Sequence, residues 1–399
     1  MTTYIVDGVR TPIGALGGSL SPVRADDLAA MVIKELMKRN STVPTESVDD
    51  IIMGCVNQAG DDNRNIARMA LLLAGIPYTV PGETVNRLCA SGMSAVINAA
   101  RAVQCGDGDV FIAGGVENMT RGPYVISKTS KAYGNDAQMY DSSFGWRFIN
   151  PLMEKMYGVD AMGVTAENLA EVYNISREDQ DVFAYNSQMK ATKATEHLAE
   201  EIMPVEIAGK KGAVTVFSND EFIKSTTTIE GLSKLKPAFK KENGTVTAGN
   251  SSGLNDGAAA MLIVSEAALK KYNLIPKAKI ISSAVVGVEP RIMGIGPVDA
   301  TKKALAKAGL TLNDIDIIEL NEAFAAQSIA CIRVLGLKDD DARINVNGGA
   351  IALGHPLGMS GARITYSAAF ELQKQDKKYA LATMCIGVGQ GYAVILERV

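Results

Sequence analysis

The chain has 399 residues, of which 47% are hydrophobic and 21% charged, so it can bury a large core in two or three domains. Its formal net charge of -4 argues against a nucleic-acid-binding surface, and no window has the apolar length of a membrane span. The N-terminus lacks the residue order of a signal peptide, so we expect a cytoplasmic protein.

Five cysteines without a CxxC pair favour neither a disulfide framework nor a zinc site. No pair of histidines or cysteines has metal-ligand spacing either, so we predict no metal site. We expect Cys55, Cys105 and Cys331 to serve packing alone.

Short apolar runs alternate with helical stretches from Tyr4 to Gly115, which is typical of a layered α/β fold. The segment 116–250 changes character, and Tyr124–Trp146 is predicted to be a long loop. From Ala278 onward the pattern of the first part recurs in the same order. We therefore predict two similar halves, residues 1–118 with 251–276 and residues 277–399, with an inserted segment over 119–250.

The stretch Glu83–Val96 places a cysteine at the start of a predicted buried helix. The Ala-rich run after Cys89 contains good helix formers, so we predict a helix that begins just after it. A thiol at that position would face the unpaired N–H groups and positive end of the helix, which favour the thiolate. We interpret Cys89 as an activated nucleophile; the alternative is a packed core cysteine.

Only two histidines are available as a general base. His197 lies at the polar end of a predicted helix, and we expect it to be solvated. His355 lies in the glycine-rich stretch Asn347–Gly361, where glycines let backbone and ligand approach closely. His355 is therefore the candidate base, the alternative being a histidine that is merely hydrogen-bonded within a turn.

Two more candidates stand at the ends of predicted strands. Cys385 precedes a glycine-rich loop that runs into another strand, which argues against a dinucleotide-binding loop and is suited to presenting N–H groups to an oxyanion. Asn321 and Glu322 close the apolar strand Ile315–Leu320, where open α/β sheets bind ligands. A Ser-His-Asp hydrolase is disfavoured because no G-x-S-x-G elbow follows a strand.

In these motifs the chain resembles the thiolases (acetyl-CoA acetyltransferases) over essentially its full length. The resemblance implies a thiolase-like five-layered α/β/α/β/α fold of two similar halves with an inserted loop domain. It also implies a homotetramer, a dimer of dimers, with contacts from Tyr124–Trp146. The segments that match in order and spacing are Asn86–Gly92, Asn321–Phe324, Gly354–Gly361 and Cys385–Gly387, with support from Thr165–Asn168 and Thr247–Gly257.

The resemblance further implies a ping-pong reaction. His355 takes the proton of Cys89, which attacks an acyl-CoA thioester to give an acyl-enzyme, and Cys385 exchanges the α-proton of acetyl-CoA. The His355 ring and a water held by Asn321 stabilise the enolate. The N–H groups of Cys89 and Gly387 stabilise the acyl oxyanion.

No permanently bound cofactor is implied, because coenzyme A and acetyl-CoA are substrates. The chain departs from short-chain biosynthetic thiolases at Ala161, where they carry a histidine, at Lys224, where they carry an arginine, and at Gly231, where they carry a serine. Lysine lacks the bidentate geometry of arginine. The coenzyme A contacts that the resemblance implies are Met162, Lys224, Phe239, Ala248, Ser252, Ala323 and Phe324.

We therefore expect an acetyl-CoA C-acetyltransferase that joins two acetyl-CoA molecules into acetoacetyl-CoA, and catalyses the reverse. Met162 supports this, because in the family it narrows the acyl pocket. One alternative is a degradative 3-ketoacyl-CoA thiolase of broader chain length. Others are a carrier-protein ketosynthase, which usually pairs its cysteine with two histidines or a histidine and an asparagine, and a non-catalytic acyl-CoA- or lipid-binding relative.

Overall fold

A computed structural model describes residues 2–399. The strands are β1 Thr3–Arg10, β2 Gly14–Ala15, β3 Asp50–Gly54, β4 Gly82–Val85, β5 Val110–Asn118, β6 Tyr124–Ile126, β7 Met139–Asp141, β8 Val205–Ala208, β9 Val214–Phe217, β10 Asn255–Ser265, β11 Ala278–Gly287, β12 Ile317–Leu320, β13 Tyr379–Ile386 and β14 Gln390–Arg398. The helices are α1 Ala25–Arg39, α2 Ile66–Leu73, α3 Ser91–Cys105, α4 Pro151–Tyr157, α5 Met162–Val172, α6 Arg177–Lys193, α7 Thr195–Leu198, α8 Ile229–Ser233, α9 Glu266–Tyr272, α10 Gly296–Ala308, α11 Ala325–Val334, α12 Ala350–Leu353 and α13 Leu357–Lys374.

Ten strands form one mixed sheet in the order β12-β13-β14-β11-β1-β10-β5-β3-β4, with β2 paired to β10. The two ends of this order mirror each other. In the first half β3 is parallel to both β4 and β5, and β10 is antiparallel to β5. In the second half β12 is parallel to β13, β14 is antiparallel to β13, and Ile318 forms a parallel bridge with Ile344. The predicted repeat is thus present in the strand topology.

The strands and helices stack in five layers. The outer face of the first half packs against α1 and α2, and the outer face of the second half packs against α10 and α11. Helices α3 and α13 contact each other and lie between the inner faces of both halves. Helix α13 is buried continuously from Gly358 to Leu372, as expected of a helix surrounded by protein on all sides.

The alternation predicted from Tyr4 to Gly115 is present, because the helices α1, α2 and α3 are interspersed among the strands β1, β3, β4 and β5. The domain boundaries after 118, 250 and 276 fall between named elements, and as domain boundaries they stay a prediction. Within residues 2–399, no helix has both the length and the apolar character that crossing a membrane requires.

Three expectations for individual segments were wrong. The stretch Tyr124–Trp146 contains the antiparallel hairpin β6–β7 rather than loop alone. Cys105 is exposed at the end of α3 and does not pack in the core. His197 is only partly exposed, because its ring contacts the buried Glu371 and lies beside Phe370.

A buried ionic cluster fastens the inserted segment to the sheet. The guanidinium of Arg10 on β1 forms two hydrogen bonds to Asp220, at 2.7 and 2.9 Å, and one to Glu201, at 3.1 Å. All three side chains are essentially inaccessible to solvent. A buried charge is tolerated only while its partners remain, so this cluster fixes the insertion against the first half.

Replacing Asp220 with alanine would leave the Arg10 guanidinium buried without its bidentate partner. We expect the free energy of unfolding to fall by about 3–5 kcal/mol, measured by urea denaturation followed by circular dichroism. The control is Glu230→Gln, which removes an exposed pair with Lys234 on α8 and should cost less than about 0.5 kcal/mol. Equal stability losses in the two variants would contradict this account.

Candidate active site

The four principal candidates lie at the ends of strands and helices in the two halves. Cys89 lies in the short link between β4 and α3, and His355 lies two residues before α13. Asn321 follows the last residue of β12, and Cys385 is the penultimate residue of β13. Because β12 and β13 are parallel neighbours, Asn321 and Cys385 lie at the same edge of the sheet.

Burial raises the pKa of the Cys89 thiol, and hydrogen bonds from the backbone N–H groups of Gly387 and of Cys89 itself oppose that shift only in part. The start of a helix predicts a lowered pKa for this thiol, whereas burial acts in the opposite direction. Helix α3 begins at Ser91 as predicted, but the N–H groups of Ala90 and Ser91 bond to backbone carbonyls of the preceding turn. They are not free to stabilise the sulfur.

The hydrogen bonds of His355 define its tautomer. The Ser360 hydroxyl donates to the carbonyl oxygen of Pro356 at 2.8 Å and lies 2.6 Å from His355 Nδ1. Since that hydroxyl proton is already used, Nδ1–H donates to Ser360 Oγ, and the lone pair is on Nε2. Nε2 lies 3.5 Å from the amide nitrogen of Asn321.

Burial lowers the pKa of His355 to about 4, and the nearby Arg363 guanidinium contributes in the same direction. The ring is 5% exposed, so its charged form would lose most of its hydration. At neutral pH the imidazole is uncharged, with a basic nitrogen ready to accept a proton.

Cys385 is buried in a small cluster with Met293 and Ala323, against which Met162 and Phe324 pack. Burial raises the pKa of its thiol well above the ordinary value, and the proximity of Cys89 raises it further. Both shifts favour the protonated form of these thiols.

Two apolar side chains lie beside the main chain of Gly387. A Cβ atom at Gly387 would lie 3.5 Å from a Leu88 methyl group and 3.6 Å from the Met162 sulfur. Flexible apolar side chains thus line the region next to the two N–H groups that converge on the Cys89 sulfur. Such a lining suits a short acyl chain of adjustable shape.

Most of the expected coenzyme A contacts lie together. The Phe239 and Phe324 rings form an edge-to-face pair at 6.3 Å, and the N–H of Ser252 donates to the carbonyl oxygen of Ala323. Met162 packs in the Cys385 cluster beside Ala323 and Phe324.

The remaining two expected contacts are exposed. Lys224 holds its ammonium group over the Phe222 ring at 4.9 Å, where it is accessible to an anion. Ala248 lies in the turn that precedes the bridge between Ser251 and Phe324.

Sequence reasoning assigned no role to two residues that hold this region in place, and it misjudged a third. Ser360 fixes the His355 tautomer, and Asn255 accepts the His355 N–H at 2.9 Å. Glu322, expected to present its carboxylate beside Asn321, instead accepts hydrogen bonds from Ser187, Asn345 and Ile351. Ser360 could have been found from its position five residues after His355. Asn255 is distant in sequence, so no sequence pattern indicated its contact with His355.

Two family models match the chain: the thiolase N-terminal domain over residues 3–267 and the thiolase C-terminal domain over residues 274–398. The chain belongs to the thiolase family. It is therefore an acyltransferase that uses coenzyme A thioesters as substrates.

Named relatives cover the whole chain. The 3-oxoadipyl-CoA/3-oxo-5,6-dehydrosuberyl-CoA thiolase of Escherichia coli K12 and a beta-ketoadipyl-CoA thiolase of Acinetobacter baylyi are each 57% identical over 99% of both chains. The crystal structure of the Bacillus anthracis acetyl-CoA acetyltransferase is 41% identical, with a TM-score of 0.92 over 100% of this chain and 99% of that one. These likenesses confirm the predicted thiolase family and fold.

Removing the Ser360 hydroxyl should weaken the thiolase reaction without unfolding the protein. Ser360→Ala leaves the buried His355 Nδ1–H without a partner, so the basic tautomer is no longer enforced. Such a loss is worth about 1–3 kcal/mol, which corresponds to a fall of about 5- to 150-fold in kcat/KM for thiolysis. Ser367→Ala, which removes another buried hydroxyl from α13, is the control and should retain the wild-type kcat/KM.

Proposed function

We propose that this thiolase cleaves 3-oxoadipyl-CoA with coenzyme A to give acetyl-CoA and succinyl-CoA. The observation that carries the proposal is full-length identity of 54–57% to relatives named for beta-ketoadipyl-CoA or 3-oxoadipyl-CoA. An acetyltransferase restricted to acetoacetyl-CoA, which the sequence alone favoured, is the second candidate. The 41% identity to the Bacillus anthracis enzyme supports that candidate more weakly.

Residue differences also favour the degradative type. Ala161 and Lys224 depart from the histidine and arginine expected of short-chain biosynthetic thiolases. Met162 has three rotatable bonds, and its sulfur and a Leu88 methyl group lie beside the same Cβ position of Gly387. An unbranched side chain of this kind adapts to acyl groups of different length.

The reaction begins with Cys89 and His355 both uncharged. His355 Nε2 takes the proton of the Cys89 thiol, and the sulfur attacks the C3 carbonyl carbon of the 3-oxoacyl-CoA. The oxygen becomes an oxyanion within reach of the Cys89 and Gly387 N–H groups. Losing one such donor typically costs about 2.7–4 kcal/mol of transition-state stabilisation.

Cleavage of the C2–C3 bond then returns the oxyanion to a carbonyl. The acyl group stays on Cys89, and acetyl-CoA leaves as its enolate, near His355 and Asn321. Cys385 donates its proton to C2 of the enolate. Its raised pKa suits this direction, because the residue rests in the protonated form that the step consumes.

A second coenzyme A completes the cycle. Its thiol gives a proton to the Cys385 thiolate and attacks the acyl-cysteine carbonyl. The Cys89 sulfur leaves and recovers its proton from His355. Each catalytic group thereby returns to its starting form.

Substrate preference distinguishes the two candidate functions. We expect kcat/KM for thiolysis of 3-oxoadipyl-CoA to exceed that for acetoacetyl-CoA by more than about tenfold, a difference of about 1.4 kcal/mol in transition-state binding. Rates would be measured by loss of the 3-oxoacyl-CoA absorbance at fixed coenzyme A. A preference for acetoacetyl-CoA would favour the acetyltransferase instead.

The two cysteines should fail at different steps. Cys89→Ala should form no acyl-enzyme with acetyl-CoA in an intact-mass measurement. Cys385→Ala should still acylate Cys89, while thiolysis of a 3-oxoacyl-CoA falls by at least about 10²-fold through loss of the general acid. Cys105→Ala changes only an exposed thiol and is the control. Equal acylation defects in both active-site variants would contradict this division of roles.

The assembly and location of the enzyme stay predictions. A homotetramer is supported by exposed apolar side chains along residues 124–157, among them Tyr133, Met139 and Leu152, since such surfaces usually mark contacts.

A further inference from the structure

Glu117 is a buried carboxylate near the end of β5 and is only 3% exposed. Its oxygens accept three backbone N–H groups, from Val56 at 3.0 Å, Asn57 at 3.0 Å and Gly358 at 2.9 Å. A carboxylate that satisfies three buried donors at once connects the segments that carry them. Within residues 2–399, none of these three N–H groups donates to a backbone carbonyl.

The two connected segments lead to the candidate catalytic residues. Residues 55–57 contact the link before α3, because Cys55 N–H donates to the Val85 carbonyl and the Asn86 side chain donates to the Val56 carbonyl. Cys89 follows three residues later. Gly358 lies in the first turn of α13, three residues after His355. Glu117 thus lies between the Cys89 segment and the His355 segment.

Glycines let the backbones around Glu117 pack so closely that they leave no room for side chains. A Cβ atom at Gly358 would lie 2.2 Å from the Val116 carbonyl oxygen, and one at Gly115 would lie 1.9 Å from the Gly358 carbonyl oxygen. A Cβ at Gly92 would lie 2.6 Å from the same Gly358 oxygen, and one at Gly54 would lie 2.3 Å from the Gly92 nitrogen. The starts of α3 and α13 therefore meet backbone to backbone beside Glu117.

We propose that Glu117 is a positioning residue for the thiolase reaction, which holds the start of α13 against the Cys89 segment and so sets the placement of His355 relative to Cys89. The inference rests on the roles proposed for those two residues. An electrostatic role is disfavoured, because an ionised Glu117 raises the pKa of Cys89 and so opposes thiolate formation. Burial raises the pKa of Glu117 itself to about 7, which limits that opposition.

The test measures the rate of Cys89 acylation separately from the fraction of protein that is folded. Wild type, Glu117→Ala and Glu117→Gln would be mixed with acetyl-CoA in a quenched-flow instrument, and acetyl-Cys89 would be quantified by mass spectrometry. The first-order rate constant reports the placement of the reacting groups, whereas the amplitude reports the fraction of folded sites. A purely structural residue would change the amplitude alone.

We expect the rate constant to fall by about 10²-fold in Glu117→Ala, the scale of a misplacement by about 1 Å, with an amplitude near that of wild type. Glu117→Gln keeps one acceptor oxygen, so its rate constant should fall by about tenfold. The matched control is Asp316→Ala, which removes a carboxylate bonded to the N–H groups of Lys378 and Tyr379 at the distant end of β13. Its rate constant should equal that of wild type.

Each outcome of the acylation experiment either supports or overturns the inference. Wild-type rate constants in both Glu117 variants would overturn the inference. Insolubility of both variants would also overturn it, because Glu117 would then be needed for folding. If Glu117→Ala alone is insoluble, a slowed Glu117→Gln supports it. Failure of the wild-type enzyme to acylate Cys89 would instead refute the proposed function.

Discussion

The arrangement of the site depends on one contact in the middle layer, where the first turns of α3 and α13 meet through glycine backbone. Gly92 and Gly361 have no room for a side chain, because a Cβ atom on either would lie within 3 Å of the facing helix's backbone. Within residues 2–399, the two halves of the fold are joined at the sheet only by a short pairing of β1 with β11. The helix contact is therefore what brings a cysteine from one half to a histidine from the other.

Burial at that contact determines the acid–base chemistry. The same loss of hydration raises the pKa of both thiols and lowers that of the imidazole, because in each case the charged form is the one that water stabilises. The resting site is uncharged and holds its protons on sulfur. In the proposed mechanism, charge on the Cys89 sulfur develops beside the N–H groups of Cys89 and Gly387, which bond to that sulfur.

Sequence patterns predicted the repeat that the strand topology confirms, and local motifs singled out Cys89, Asn321, His355 and Cys385 as candidate site residues. They did not include the effect of burial on the pKa of Cys89, because burial depends on the folded chain. They also misplaced His197, whose partner Glu371 lies on α13. Ser360 was within reach as part of the matched motif. Glu117 was not interpreted, although a carboxylate within the apolar run of β5 was a visible signal.

The repeat itself gives a reason why Glu117 stands where it does. The last residue of β3 pairs with Gly115, and the last residue of β12 pairs with Thr383. Glu117 and Cys385 each lie two residues further along, so they occupy equivalent positions in the two halves. Their antiparallel partners are Gly257 and Gly391, respectively. Aligning Ser91-Gly92 with Ser360-Gly361 likewise makes Cys89 equivalent to Gly358. The pair of Glu117 and Gly358, joined by a hydrogen bond, is therefore the counterpart of the pair of Cys385 and Cys89 in the repeat. One pair carries a hydrogen bond between backbone and carboxylate, and the other carries the two sulfurs, which agrees with the positioning role proposed for Glu117.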